Sequence, residues 1–342
     1  MTQKQNTTSA MTSLEKRSIA GLSTIFALRM LGLFMILPVF SLTADQYSGA
    51  TPILIGIAIG AYGLTQALLQ IPFGMLSDRI GRKRVITIGL LLFAAGSIVA
   101  AMADSIYMVI AGRLLQGSGA IAAAIMALTA DLTPTPTRLI SHRDIEPVPK
   151  QFLKVLRNPD IMRMVFSIMI LHCLLTISFF ALPIALLEHA GLPKDQHALA
   201  YLPILVLAFV AMVPFIIIAE KYRQMKPIFL GAIATLAIAE LGWSQLSYSV
   251  SGMLFCLWLF FTAFNILEAS LPSLMSKLSP LANKGTAMGI YSTAQFIGAF
   301  IGGASGGLIF SKLGMSGVFI AGAVLATIWL IVVLPMKQPK HL

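Results

Sequence analysis

Long apolar runs separated by short polar segments are the feature of this sequence that most constrains its fold. About 20 consecutive apolar residues suffice to cross the hydrocarbon core of a bilayer as a helix. Backbone groups inside a bilayer must bond internally, and the runs lack the alternating pattern of a β-barrel strand. Only 11% of the residues are charged, against about 25% in soluble domains, which excludes soluble enzymes and soluble binding modules. The sequence therefore predicts an all-α polytopic membrane protein.

The runs divide into two groups separated by a proline-containing linker. We predict an N-terminal bundle of four helices in 1–133, a linker in 134–163 and a C-terminal bundle of six helices in 164–342. The ten predicted spans are 18–42, 52–74, 85–102, 106–130, 164–187, 198–219, 227–246, 252–275, 285–310 and 315–334.

The distribution of basic residues predicts the orientation of these spans. With the N-terminus inside, 20 of the 24 Lys and Arg residues fall on cytoplasmic segments, Arg29 and Arg113 lie within spans, and only Lys194 and Lys312 lie outside. This is the positive-inside asymmetry, which places both termini in the cytoplasm. The net charge of +11 thus reflects membrane topology, and we expect no nucleic-acid partner.

The two bundles look like unequal repeats. The second span of each ends in an acid followed by bases: Asp78, Arg79, Arg82 and Lys83 in the first, and Glu220, Lys221, Arg223 and Lys226 in the second. Many membrane transporters consist of such doubled units, with the substrate site between them. Two spans follow the charged segment in the first bundle and four in the second, so the first bundle lacks two helices.

The charged segment of the first bundle carries the most specific motif, Gly74-Met-Leu-Ser-Asp78-Arg79-Ile-Gly81-Arg82-Lys83-Arg84. The two glycines permit a tight turn between antiparallel helices. Asp78 can pair with Arg82, four residues later, or face the positive N-terminus of a neighbouring helix. The alternative is an ordinary solvated basic loop.

This motif resembles the signature loop of the major facilitator superfamily, and Arg113-Leu-Leu-Gln116-Gly117 in span four is similar to that family's R-x-x-Q-G motif. Blocks at 28–39, 56–83, 112–128, 263–277 and 284–298 are most similar to the YajR-type transporters. The resemblance implies the two-bundle major facilitator fold, alternating access and proton-coupled export of small molecules. That family has twelve helices, and the segment for its fifth and sixth is missing here after residue 133.

The resemblance also implies a conformational latch. In the family, the acid and base of the signature loop act with an acid at the end of the fourth helix, against the start of the eleventh. The matching positions here are Asp78, Arg82, Asp131 and the helix that begins near Gly285. The motif positions Gly74, Arg79, Gly81 and Lys83 belong to the same predicted latch.

Ionisable residues within predicted spans are functional candidates, because a charge inside a bilayer is costly unless it faces a cavity or a partner. They are Arg29, Arg113, His172, Glu240 and Glu268. All except Glu240 fall on helices that the resemblance places around a central cavity.

Glu268 and His172 are the predicted proton-coupling residues, with Asn265 one turn away to orient Glu268. The alternatives are a histidine bonded to a backbone carbonyl and a glutamate paired permanently with an arginine. Arg29 and Arg113 are predicted to supply positive charge to the cavity, or to form structural pairs. We expect Glu240 to bond to nearby backbone.

Glycines that recur at every fourth residue predict close helix packing. They are Gly56 and Gly60 in span two and Gly298, Gly302 and Gly306 in span nine. The resemblance makes them candidates for a sliding seam between the bundles, with ordinary packing as the alternative.

Three classes of function remain open at this point. The leading hypothesis is a proton-driven secondary transporter in the cytoplasmic membrane, monomeric, with a small-molecule substrate, the lipid bilayer as surroundings, and no cofactor or metal. An internally deleted, transport-inactive relative is the alternative. A membrane-embedded enzyme is disfavoured, because the five histidines lie at no metal-ligand spacing and no phosphate-binding loop occurs.

Overall fold

The computed structural model describes residues 17, 20–22, 24, 37–121, 124–125, 128, 155–279 and 284–336, with the backbone alone at 284 and 285. Apart from one isolated bridge between Ser48 and Ser105, this part of the chain contains no β-structure. Its helices are α1 (Leu37–Thr43), α2 (Pro52–Ile80), α3 (Arg82–Ala101), α4 (Ile106–Ser118), α5 (Pro159–Glu188), α6 (His197–Lys221), α7 (Met225–Gln245), α8 (Val250–Leu278) and α9 (Lys284–Val333).

Seven of the described helices are long and apolar enough to cross a bilayer. The longest, α9, covers two predicted spans and breaks at Gly314, whose φ of +68° is not helical. With α1, which overlaps the end of the first predicted span, and α4, which lies within the fourth, each of the ten predicted spans contains helix. The protein is an all-α, multi-pass membrane protein.

Side-chain caps and prolines fix where several helices begin. The Thr51 side chain accepts a hydrogen bond from the Leu54 N–H at the start of α2, and the Asn158 side chain accepts from Asp160 and Ile161 at the start of α5. Such caps satisfy N–H groups that the first turn leaves free, and proline at the first helical position has no N–H to satisfy. α5 begins at Pro159, five residues before the predicted start of the fifth span at 164.

The signature motif lies mostly on a helix, where the sequence predicted a loop. α2 continues to Ile80 and α3 begins at Arg82, so a single residue connects them. That residue, Gly81, has φ +98°, a conformation that favours glycine. Gly74 is an ordinary helical residue, and its predicted part in the turn is wrong.

The helix α9 packs against both bundles. Its contacts with α5 are the most extensive between any two described helices, and those with α2 come second.

The core of the C-terminal bundle is aromatic: Trp243, Phe260, Phe319 and Trp329 are fully buried, and the Trp329 indole donates to the Ser167 hydroxyl. We call the end of the helices at which α2 meets α3 the Gly81 end, and the end at which α5 meets α6 the Lys194 end.

Candidate functional site

Three polar side chains from three helices of the C-terminal bundle come together, one of them buried and two partly exposed. They are His172 on α5, Glu268 on α8 and Gln295 on α9. His172 Nδ1 lies 3.2 Å from the Ile168 carbonyl oxygen, and His172 Nε2 lies 2.8 Å from Gln295 Nε2. These contacts are both satisfied when the ring carries its proton on Nδ1, because Nε2 then accepts from the Gln295 amide.

Glu268 is the accessible member of this cluster. Its Oε2 lies 3.9 Å from His172 Nε2, and its side chain is 39% exposed, against 5% for His172. Oε2 itself is buried and has no hydrogen-bond partner within the described residues. Glu268 is thus exposed on one side and lies close to the buried imidazole of His172 on the other.

The two predicted alternatives for these residues have different outcomes. His172 does contact a backbone carbonyl, as the structural alternative required, and it also approaches Glu268. No arginine pairs with Glu268 in the described part of the chain. Asn265 shares a helix face with Glu268, and no hydrogen bond joins the two in the described part of the chain, so its orienting role stays a prediction.

Gln295 was not predicted as a site residue, because it is a neutral amide and only ionisable residues within spans were candidates. The available signal was a polar residue in the middle of the apolar stretch 285–310, one turn before Gly298. Gln295 provides the cluster's link to α9.

Arg113 connects α4 to α2 and is buried between them. It is 3% exposed, and its guanidinium donates to the carbonyls of Ala58 and Ile59 on α2 at 3.3 Å each. It also donates to Gln116 Oε1 at 3.1 Å and lies 5.4 Å from the centre of the Tyr62 ring. The structural alternative therefore describes Arg113, with backbone carbonyls as its partners in place of an acid.

The other two motif residues of span four complete the same attachment. The Gln116 amide donates to the Ser97 hydroxyl of α3 at 2.9 Å. A Cβ at Gly117 would lie 2.2 Å from the Tyr62 carbonyl oxygen, so α4 approaches α2 more closely than any larger residue allows. The R-x-x-Q-G motif thus holds three helices of the N-terminal bundle together.

The predicted glycine seam between the bundles is present where α2 meets α9, but the glycines predicted on α9 are not the ones that line it. Gly56 and Gly60 of α2 face α9: a Cβ on Gly56 would lie 2.3 Å from the Gly303 oxygen, and one on Gly60 2.7 Å from the Phe300 oxygen. Gly307 contacts Pro52 and Gly56 in the same way. The seam between the bundles is therefore lined by Gly303 and Gly307 on the α9 side.

The predicted glycines of α9 face the opposite neighbour. A Cβ on Gly298 would lie 2.0 Å from the Met169 oxygen of α5, and one on Gly302 2.2 Å from the Cys173 oxygen. Gly306 packs near Ile177 of α5. These three glycines hold α9 within its own bundle, because close backbone approach needs small residues.

The latch residues are described in part. Arg82 Nη2 lies 3.7 Å from Asp78 Oδ1, which matches the predicted pairing. Arg79 and Lys83 are exposed at the same end. The antiparallel contacts of Gly56 with Gly303 and of Gly60 with Phe300, continued along both helices, bring Asp78 to the level at which α9 begins. Arg29 and Asp131 lie outside the described residues.

Glu240 lies in the core of the C-terminal bundle. It is fully buried on α7, accepts a hydrogen bond from the Ser178 hydroxyl of α5 and packs against Gly322 of α9. Its partner is thus a side chain and not the predicted backbone group. Glu240 belongs to a separate contact from the His172 cluster.

Comparison with known proteins identifies the family. The family model described as Major Facilitator Superfamily matches residues 22–141 and 164–342. The inner membrane transport protein YajR of Escherichia coli is 43% identical, over 97% of this chain and 86% of that protein. An uncharacterized transporter of Buchnera aphidicola (subsp. Baizongia pistaciae) is 31% identical, over 92% of this chain and 95% of that protein.

The fold comparison agrees. The crystal structure of the human organic anion transporter MFSD10 (TETRAN) superposes with a TM-score of 0.66, covering 93% of this chain and 99% of the other at 15% identity. The alignment with YajR runs over 389 positions, more than the 342 residues present here, so it opens gaps in this chain. The chain therefore belongs to the major facilitator superfamily, as a shortened member similar to YajR.

Proposed function

We propose that this protein is a secondary transporter that exports small amphipathic molecules in exchange for protons, by alternating access between its two bundles. Family membership supports transport as the general function. The observation that carries the proton coupling is the contact of buried His172 with accessible Glu268 and with Gln295 of α9. No catalytic residue is proposed.

The cluster has two arrangements that differ by one proton. Neutral His172 accepts from the Gln295 amide at Nε2. Protonated His172 carries N–H groups on both nitrogens, so Nε2 needs an acceptor. The Glu268 carboxylate, at 3.9 Å, is a candidate after a small approach, and so is the Gln295 amide oxygen after rotation of the amide. A proton that passes from water through Glu268 to His172 therefore changes the hydrogen-bond partner of Gln295.

The helix α9 can transmit this change to the other bundle. Gln295 lies on α9, and Gly303 and Gly307 of the same helix form the seam with α2. Because these contacts are backbone to backbone, a shift of α9 has no flexible side chains to absorb it. We propose that protonation of the cluster alters the position of α9 against α2, which opens one face and closes the other.

The ends of the helices differ in charge in a way that supports the proposed orientation. Bases of the described residues concentrate at the Gly81 end: Arg79, Arg82, Lys83, Arg84, Arg157, Arg163, Lys221, Arg223, Lys226 and Lys277. The Lys194 end carries two bases, Lys194 and Lys312, together with Asp45, Asp104, Glu188 and Asp195. By the positive-inside rule we propose that the Gly81 end is cytoplasmic, with both termini inside. We further propose that the protein works as a monomer in the cytoplasmic membrane.

The pairing of Asp78 with Arg82 is the proposed latch at the cytoplasmic end. Asp78 at the level of the N-terminus of α9 would favour the closed face, because a helix N-terminus attracts negative charge. Both side chains are partly exposed, so we expect a contribution of about 1 kcal/mol or less. A weak latch of this kind can open and close in every transport cycle.

A distance measurement between the bundles tests the proposal without a known substrate. Spin labels at Lys83→Cys on α3 and Lys226→Cys on α7, with Cys173 and Cys256 replaced by Ala, report the separation of the bundles at the Gly81 end. We expect the distance distribution in lipid nanodiscs to change between pH 8 and pH 5.5. Glu268→Gln should abolish the change, because a side-chain amide does not take up or release a proton between these pH values.

Glu240→Gln is the matched control, since it neutralises a buried acid of the same bundle that lies outside the cluster. It should leave the pH response intact. A distance that does not respond to pH in the wild-type protein would favour the transport-inactive alternative. Proton-driven efflux of ethidium, a small amphipathic cation, from reconstituted vesicles then tests transport itself.

A further inference from the structure

The helices α2 and α6 occupy the same position in the two bundles but are packed differently. Each is the second span of its bundle and ends in the acid-base segment. Over the most apolar 18 residues of each helix, 56% of the residues are buried in α2 and only 11% are buried in α6. The partner of α2 across the seam is the first part of α9, the fifth span of the second bundle, and the first bundle has no such span. α6 therefore lacks the partner that α2 has.

The exposed face of α6 is not built to receive another helix. α6 contains no glycine, and its exposed side chains are bulky: Leu199, Leu202, Val206, Leu207, Phe209, Val210 and Val213. Closely packed transmembrane helices present small residues to each other, as α2 and α9 do here. Branched and aromatic apolar side chains instead match the surface of fluid acyl chains.

A cavity of about 230 Å³ lies beneath this face, between α1, α5, α6 and α8. It is lined by Leu37, Pro38, Leu175, Phe179, Tyr201, Leu205, Phe261 and Phe264. The cavity reaches the surface of the helix bundle at Leu205, which is 37% exposed. The lining is almost entirely apolar, and at Leu205 it adjoins the exposed apolar face of α6.

One polar atom of the lining points to the kind of ligand. Tyr201 is only 7% exposed, and its hydroxyl has no hydrogen-bond partner in the described part of the chain. A buried hydroxyl without a partner is costly, so a ligand that offers an acceptor is favoured. Tyr201 lies one turn after α6 begins at the Lys194 end, the depth at which tyrosine typically meets the polar boundary of a bilayer.

We propose that a phospholipid of the leaflet at the Lys194 end binds here. Part of one acyl chain enters the cavity between α1 and α6, and an ester oxygen accepts a hydrogen bond from the Tyr201 hydroxyl. The lipid lies beside α6 at Leu205, along the edge of the face for which the first bundle has no helix. This binding site does not depend on whether the protein transports anything.

The aromatic lining connects the lipid site to the proton-coupling cluster. Ring contacts run from Tyr201 to Phe179 at 6.4 Å, from Phe179 to Phe261 at 5.6 Å and from Phe261 to Phe264 at 6.2 Å. The Phe264 ring lies 5.9 Å from the His172 ring. An acyl chain in the cavity fills its opening with hydrocarbon and so keeps water from reaching His172 by this route.

Native mass spectrometry of the full chain, reconstituted with palmitoyl-oleoyl phosphatidylethanolamine and released into mild detergent, tests the site. We expect the wild-type protein to appear as a monomer that retains one phospholipid. Leu205→Trp places an indole in the opening of the cavity and should remove the retained lipid. Val206→Trp places the same side chain one residue later, on the exposed face and outside the cavity lining, and should leave the lipid in place.

Tyr201→Phe removes one hydroxyl without changing the shape of the cavity. It should lower lipid retention about fivefold, which corresponds to one hydrogen bond of about 1 kcal/mol, and it remains informative even if Leu205→Trp does not fold. Equal retention in Leu205→Trp and Val206→Trp, or full retention in Tyr201→Phe, would overturn the proposal. So would a wild-type dimer that Val206→Trp dissociates, since a second copy would then cover α6.

Discussion

The helices α2 and α6 stand at equivalent places in the two bundles, and their surfaces differ as their surroundings do. α2 presents Gly56, Gly60 and Gly63 to α9, at distances that leave no room for a Cβ. α6 presents leucine, valine and phenylalanine outward and packs mainly against α8. Repeat position therefore determines where a helix lies and how it ends, while its side chains reflect whether a helix or lipid lies beside it.

The largest expected effect is at the seam. Gly56→Leu places a branched side chain where the Gly303 backbone oxygen lies, so neither helix can keep its position. We expect a loss of about 3 kcal/mol in the free energy of unfolding, as for overpacking of a close contact, measured by denaturant unfolding in detergent micelles. Gly231→Leu on α7 is the matched control, because a Cβ at that helical glycine meets nothing within 4 Å. Equal stability of the two variants would contradict a close α2–α9 seam.

A smaller effect is expected where α2 is held from inside its own bundle. Arg113→Lys keeps the buried charge but cannot reach two carbonyls and Gln116 with one planar group. We expect a loss of about 2 kcal/mol in the free energy of unfolding, in the range of lost hydrogen bonds to a charged group. Arg79→Lys, on the exposed end of α2, should change stability little. A stable Arg113→Lys protein would mean that charge and not the fork-shaped contact holds α4.

The smallest effect concerns the tie between α6 and α8. Lys277 Nζ donates to Glu220 Oε1 at 3.1 Å, and the Glu220 side chain is about half exposed. We expect Lys277→Met to cost about 0.5 kcal/mol in the free energy of unfolding at low salt, because exposed ion pairs are weak. High salt should remove the difference between the variant and the wild-type protein. A loss as large as that of Arg113→Lys would show that α6 depends on this pair and not on its apolar contacts.

The sequence predicted the number and order of helices well, because apolar length and basic segments follow directly from the bilayer. It misplaced the ends that depend on local capping. Asn158 and Pro159 start α5 five residues before the apolar run becomes continuous. The charged motif extended α2 to Ile80, since its polar residues need water but do not need a loop.

The glycine seam shows why helix faces are harder to predict than helices. α9 carries two stripes of glycine one residue apart, Gly302 and Gly306 beside Gly303 and Gly307. Adjacent positions on a helix differ by about 100° around its axis, so the two stripes face different neighbours. Spacing alone identifies both stripes as close contacts and does not say which one faces α2.

The polar cluster was partly predictable for a related reason. The cost of burying charge singled out His172 and Glu268 on separate helices, and the structure brings them to 3.9 Å. Burying a neutral amide costs less, so Gln295 stood out less in the sequence. Asn265 had the right spacing from Glu268, but spacing fixes a shared face and not a hydrogen bond.

The double contact of α9 has a consequence for how the molecule can be divided. The boundary between the two bundles runs along one side of a helix and not through a loop. A fragment that contains only the C-terminal bundle would carry the Gly303 and Gly307 groove as an open slot facing lipid, with nothing to fill it. Each bundle thus supplies part of the other's wall, and neither is a complete module on its own.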